Sequence, residues 1–368
     1  MKVFYLVPVL LFLVCPGVFA QNVHSPEIHP DGTITVRLEA PPAQNVSMQY
    51  EDMHSEKTLP MTKDAAGMWS VNTPALAPDM YDYRFVVDGL TVIDPNSHHF
   101  VINHFAQGGL FIVPGTPPEA WEETDVPHGE VHHHFYHSAL VGDRRDFYVY
   151  TPPKFDRKKK YPVLYLLHGY SDMANGWVIS GRANFILDNL IAQGKAKPML
   201  VVMPLGYGAP KLLENGWNIA HDPLWEENIK RFADTLLTEV MPQVEEEYPV
   251  VKDAKGRAIA GLSMGGAETM YTGLNHPDKF AWIGPMSSAI FDDPRPWFPE
   301  LDAKRMEKVK LLWIACGKED GLLKGNQHFE QWLASKNIKY TAVETDGAHA
   351  WQVWRRNLEA FAQLIFKD

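Results

Sequence analysis

Cysteine is nearly absent from this chain, with two in 368 residues, Cys15 and Cys316. That excludes a fold held by disulfides, and once Cys15 leaves with the leader described below, no internal pair can form. A surplus of positive charge is missing too: 34 Lys and Arg stand against 45 Asp and Glu, a formal net charge of -11. Both signs are mixed along the chain, which argues against nucleic acid or an anionic membrane surface as a partner and leaves a neutral substrate easier to accommodate. Stability must come from packing. The 45% hydrophobic content supplies a large core, and the length suits about two or three domains.

Residues 1–20 run from Lys2 through the apolar stretch Val3 to Val14 and end Gly17-Val18-Phe19-Ala20 before Gln21. This is the form of a secretory signal peptide, so the protein is expected to be secreted or periplasmic, with no membrane partner after signal removal. As an anchor the run is short, and Pro8 and Pro16 interrupt it. Val14 precedes Cys15 where a lipoprotein signal needs a small residue. Cys316 ends the apolar run Leu311-Leu312-Trp313-Ile314-Ala315 and reads as a buried structural thiol.

What is present divides in two. From Asp31 to about Val113 short alternating runs (Thr33 to Leu38, Val46 to Tyr50, Tyr81 to Val87) are broken by turn residues, the pattern of an antiparallel β-sandwich. The expected organisation is a signal peptide over 1–20, an immunoglobulin-like β-sandwich over 21–115, a linker over 116–130 and an α/β-hydrolase domain over 131–368. Pro114-Gly115-Thr116-Pro117-Pro118 and the acidic stretch behind it favour an extended, solvated linker. The cluster His132-His133-His134 with His137 invites a metal, but strand periodicity sends His133 and His137 to one face and the other two to the opposite face. A solvated edge strand or hairpin is expected there, without metal. After Arg144 apolar strands alternate with helical stretches, the mark of a doubly wound α/β domain. The strands are expected at Asp146 to Tyr150, Val163 to Leu167, Met199 to Met203, Arg257 to Ala260, Trp282 to Met286 and Leu311 to Ala315. Helices are expected over Phe185 to Gln193 and Glu227 to Tyr248, where Phe232, Leu236, Val240 and Val244 recur at helical spacing.

The chemistry-bearing segment is Ala258-Ile259-Ala260-Gly261-Leu262-Ser263-Met264-Gly265-Gly266, an apolar strand running into a serine between glycines. A serine at the tip of a tight strand-to-helix turn has a strained backbone and a helix packed close behind it, so bulky neighbours are excluded. The turn exposes the Ser263 hydroxyl and aims the Met264 N–H at a developing oxyanion. A serine needs a base and an acid that orients it. His349 lies in a small-residue loop after the strand-like Tyr340 to Val343 and is the expected base. His276 and His328 read as surface or helix-packing residues. Asp320, on the loop after the strand from Leu311, is the expected acid; Glu319 is adjacent and chemically competent, Asp346 too near His349 in sequence, and Asp292 and Asp293 fall in a proline-rich excursion. The second oxyanion N–H is assigned to Tyr170 after His168-Gly169, with His168 bracing the loop. No metal or organic cofactor is required. Eleven tryptophans permit stacking on sugars or aromatic acids; Trp177, Trp217, Trp225 and Trp351 are plausible pocket walls, and each could equally be core.

These residues carry a resemblance. Leu164-Tyr165-Leu166-Leu167-His168-Gly169, Arg182-Ala183-Asn184, Ala258 to Gly266, Asp278-Lys279-Phe280, Ile314-Ala315-Cys316-Gly317 with Asp320, and His349 with Val353-Trp354 resemble the esterase D-like α/β-hydrolases, and within them the feruloyl esterases of carbohydrate esterase family one. That resemblance implies Ser263 as nucleophile, His349 as general base, Asp320 as its orienter, and Met264 and Tyr170 as oxyanion donors. Gly67-Met68-Trp69 and Tyr81 to Gly89 with Asp94-Pro95 resemble the immunoglobulin-like modules, of a carbohydrate-binding family, that precede glycogen-branching and debranching enzymes. Trp69 is a sugar platform or a core tryptophan. The implied activity is a secreted serine esterase releasing feruloyl groups from arabinoxylan, with feruloylated or acetylated xylan as partner. The rivals are an acetylxylan esterase, an enterochelin-type siderophore esterase, and a polysaccharide binder with a degenerate hydrolase domain.

Overall fold

Residues 23–367 are described in the computed structural model; the leader expected over 1–20, with Cys15, lies outside them. In the front part, alternation produces two antiparallel sheets. One pairs Glu27–Ile28, Ile34–Glu39, Met68–Asn72 and Thr62–Lys63 in that order; the other runs Glu56–Pro60, Val46–Glu51, Asp79–Val87, Gly108–Val113 and Phe100–Val101. Their inward residues, among them Ile34, Val36, Met48, Tyr83 and Phe85, are sealed from water. Trp69 is part of this core and donates its Nε1–H to the Ala40 carbonyl at 3.0 Å. It is no sugar platform.

The segment 116–130 departs from the solvated tether expected of it. Trp121 is 1% exposed, with the Arg356 guanidinium carbon 4.6 Å from its ring centre. The Asn189 side chain donates to the Ala120 and Glu122 carbonyls. Proline and acidic content pointed to solvent, but burying one large indole under a cation outweighs composition.

The rest forms an eight-stranded sheet in the order Glu130–His137, Arg144–Thr151, Leu200–Pro204, Val163–Leu167, Arg257–Leu262, Trp282–Met286, Leu311–Gly317 and Thr341–Thr345. Arg144–Thr151 is antiparallel to both neighbours and the later pairs are parallel. Parallel strands are apolar throughout because helices cover both faces. Val163, Tyr165 and Leu167 pack with Ile229, Phe232, Ala267 and Met270 on one side; Leu164 and Leu166 pack with Ile186, Leu190, Leu358 and Phe361 on the other.

The histidine-bearing strand Glu130–His137 is the sheet edge, in a hairpin with Arg144–Thr151. The helix expected from Glu227 starts earlier, at Pro223, because Asp222 caps it by accepting the Leu224 N–H at 2.7 Å and proline suits the first turn. It also does not run unbroken to Tyr248. A wide turn over Leu236–Val240 separates Pro223–Thr235 from Met241–Glu247, where Pro242 has no N–H for an ordinary helical bond.

Candidate active site

Five parallel strands end on the same edge of the sheet, and each delivers a segment to one cluster: His168 to Asp172, Ser263, Ser287, Gly317 to Asp320, and Gly347 to His349. Ser263 stands between the strand Arg257–Leu262 and the helix Met264–Asn275 with φ 54° and ψ -113°, a conformation that costs an L-residue of order 1–3 kcal/mol. Its own N–H donates to the Met286 carbonyl at 2.9 Å. The glycines answer a different need. A Cβ on Gly265 would stand 2.5 Å from the His168 carbonyl oxygen, and one on Gly261 would stand 2.6 Å from that of Gly265. The strain resides in the serine, and the glycines let the helix approach the sheet. Met264 opens the helix, so its N–H is among the first-turn donors without an intrahelical acceptor.

His349 Nδ1 lies 2.8 Å from Asp320 Oδ2. The other Asp320 oxygen accepts the Leu322 N–H at 2.8 Å. Burial opposes ionisation of this carboxyl, yet the hydrogen bonds from His349, Leu322 and Ser287 outweigh it and hold its pKa below the ordinary value. A carboxylate accepting from Nδ1–H leaves Nε2 of the imidazole as the proton acceptor. The neighbouring acids face elsewhere: Glu319 bonds His54 of the front module at 2.8 Å, and Asp346 bonds Lys318 at 2.9 Å. The two loops are tied together, Lys318 N–H to the Thr345 carbonyl at 2.8 Å and Glu319 N–H to that of Gly347 at 3.1 Å.

Opposite them, the loop after Val163–Leu167 passes over the elbow. A Cβ on Gly169 would be 3.4 Å from Ser263 Cβ. His168 accepts the Gly206 N–H at Nε2 and donates from Nδ1 to the Gly169 carbonyl, both at 2.8 Å; burial brings its pKa down to about 4, so it is a neutral brace. The Tyr170 hydroxyl bonds the carbonyls of Leu212 and Gly216 at 3.0 and 2.6 Å. Behind the elbow, Glu268 is fully buried, bonded by Asn228 at 3.3 Å, and desolvation raises its pKa well above the ordinary range. Cys316 is likewise inert, its thiol pushed up to about 12 by burial and by the nearby Asp320 charge.

Of the four candidate pocket tryptophans, two are core. Trp177 is 0% exposed and donates to the Leu167 carbonyl at 2.8 Å, and Trp225 is 3% exposed against Phe291. Trp351 is half-buried between Trp177 and Trp354. Trp217 alone of the four is largely open, 63% exposed and 5.9 Å from the Tyr170 ring. Two contributors escaped the sequence reading. Ser287, at φ 46°, accepts the Trp354 Nε1–H at 3.1 Å and bonds Asp320; the small residues Ser287-Ser288-Ala289 at the end of a buried strand were its signal. Asn103 of the front module donates to Asp172 at 2.9 Å, and no motif marked it.

A strained serine, an imidazole held by a buried carboxylate and backbone N–H groups around the serine are the parts required for acyl transfer. The family model described as "Esterase: Putative esterase" matches residues 138–364. A curated relative from Xylanibacter ruminicola, an endo-1,4-beta-xylanase/feruloyl esterase, is 29% identical over 93% of this chain, which spans 46% of that relative's length. A ferulic acid esterase of solved structure is 28% identical with a TM-score of 0.53, covering 64% of this chain and 97% of its own. An enterobactin esterase from Shigella flexneri, 15% identical, shares the fold over 91% of this chain and 94% of its own, with a TM-score of 0.66.

Proposed function

The chain belongs to the esterase family, and from that premise we propose that it is a serine esterase releasing hydroxycinnamoyl groups such as ferulate from arabinoxylan. Ser263 Oγ attacks the ester carbonyl while His349 takes its proton; Asp320 holds the imidazole in the required tautomer. The N–H groups of Met264 and Tyr170 receive the oxyanion. His349 then returns the proton to the departing sugar oxygen, and water hydrolyses the acyl-enzyme by the same steps in reverse order. The observation that carries the reading is the Ser263 elbow at φ 54° on the sheet edge that also bears the Asp320–His349 pair. The feruloyl choice is supported by the xylanase/feruloyl esterase relative and the solved ferulic acid esterase. The sandwich module over 21–115, the connection over 116–130, the esterase domain over 131–368 and export to the periplasm or medium belong to the same proposal.

Ser263→Ala is expected to lower kcat on methyl ferulate by at least about 10⁴-fold while the unfolding midpoint stays near that of the parent. Retention of substantial activity removes Ser263 from its role. Release of ferulate, acetate or catecholate from matched substrates separates the feruloyl reading from the acetylxylan and siderophore alternatives.

A further inference from the structure

The front module reaches the catalytic loops at two places. On the base side, the Met53 carbonyl accepts the Ala348 N–H at 2.7 Å, one residue before His349, and His54 holds Glu319, one residue before Asp320. On the oxyanion side, the segment between Phe100–Val101 and Gly108–Val113 is locked by an Asn103 turn. Asn103 Oδ1 accepts the N–H groups of Phe105 and Ala106, and its Nδ2 donates to Asp172. The His104 N–H donates to the Ser171 carbonyl at 2.8 Å. Phe105 is thereby set with its ring 5.8 Å from Tyr170 and 5.4 Å from Trp217. Yet Phe105 remains 39% exposed and Trp217 63%.

Two rings from different domains, in contact and still partly open to water, offer apolar surface to a third ring. Both stand on Tyr170, the assigned oxyanion donor, whose hydroxyl also anchors the segment leading into Trp217. A tetrahedral centre on Ser263 turns its oxyanion toward Met264 and Tyr170. Its leaving oxygen turns toward His349, which must protonate it. The acyl chain is then directed away from His349. We propose that Phe105 of the front module and Trp217 form the wall against which the aromatic ring of a hydroxycinnamoyl group packs, so that the module supplies part of the acyl specificity. The proposal rests on the esterase reading given above.

Methyl ferulate and methyl acetate share a leaving alcohol, so their comparison isolates the acyl group. In Phe105→Ala and Trp217→Ala, kcat/KM for methyl ferulate is expected to fall about tenfold more than kcat/KM for methyl acetate, and Phe105→Tyr is expected to keep the parent's discrimination. Equal losses on the two esters, or no loss, overturn the proposal and leave the esterase reading standing. A parent enzyme that cleaves methyl acetate but not methyl ferulate overturns the feruloyl reading, and the proposal with it. Should a variant fold poorly, calorimetric titration of ferulate into the parent and into Phe105→Tyr and Trp217→Phe keeps the question open to refutation. The ring-conserving variants are expected to bind within about twofold of the parent, and absence of ferulate binding to the parent at millimolar concentration counts against an aryl wall.

Discussion

Around Ser263 the parts of the site are neighbours in the chain: Leu262 ends a strand, Ser263 carries the strained turn, Met264 opens a helix and Gly265 fits beneath the His168 carbonyl. Across the domain junction the parts come from far apart in sequence, with Met53 meeting Ala348, Asn103 meeting Asp172, and Asp79 meeting Arg355. The elbow is a consequence of one strand and one helix and persists while the sheet is folded. The junction is a set of separate polar and aromatic contacts, each of which can be removed while the sheet remains. Chemistry should therefore depend most on groups within the sheet's own loops, and stability and acyl choice on those that cross to the front module.

The largest test of that division lies inside the sheet. Asp320→Asn keeps the size of the side chain but withdraws the charge that holds His349, and kcat on methyl ferulate is expected to fall by about 10³ to 10⁴-fold, roughly 4–5 kcal/mol of barrier. Steady-state kinetics with the folded variant check this, and a loss below about tenfold would transfer the orienting role to another acid. Next comes the junction itself. Asp79 receives both Arg355, which is 1% exposed in its side chain, and Arg356. Asp79→Ala leaves a buried guanidinium without its counter-charge, and urea unfolding is expected to show a loss of about 3–5 kcal/mol. A change under about 1 kcal/mol would make the junction a loose contact and weaken any role of the module in the site.

The same division governs how much could be read beforehand. Val163–Leu167 and Trp282–Met286 were legible to the residue because fully buried parallel strands are written as near-continuous apolar runs, broken in the second only by Gly284 and Pro285. The elbow strand runs on to Leu262 and the Leu311 strand to Gly317, past the expected ends, since ladder pairing extends beyond the most apolar residues. The place after the strand from Leu311 favours Asp320 over Glu319 without showing why; in the structure Asp320 turns to His349, while Glu319 turns to His54 across the junction, a contact no local pattern records. For the same reason Asn103 and Phe105 left no trace: in sequence they are ordinary residues between two short strands. Trp177 and Trp225 could not be told from wall residues, because an indole reads the same in sequence whether it is sealed in the core or faces a cleft.

The smallest effect is the most selective for the junction. Asp172 is buried at the point where Asn103 arrives, and desolvation raises its pKa to about 7 against the lowering effect of the bonds from Asn103 and the Gly169 turn. Asp82, on the module side, is raised to about 7 as well, first by burial and in smaller part by the charges of Glu51 and then Asp172, against the lowering effect of Arg84. Between the ordinary carboxyl pKa near 4 and these raised values, the folded protein keeps protons that the unfolded chain has released. Each of these two groups therefore lowers stability as pH rises through that window, by about 1.4 kcal/mol per pH unit, and its contribution levels off above about 7. Asp172→Asn cannot ionise, while its amide oxygen can still accept the Asn103 N–H. Urea unfolding at pH 5, 6 and 7 is then expected to give a slope shallower than the parent's by about 1.4 kcal/mol per pH unit, with Asp82 and the buried Glu268 among the groups that supply what remains. Parallel slopes in the two proteins would mean that Asp172 is ionised throughout, and that the junction around Asn103 admits water.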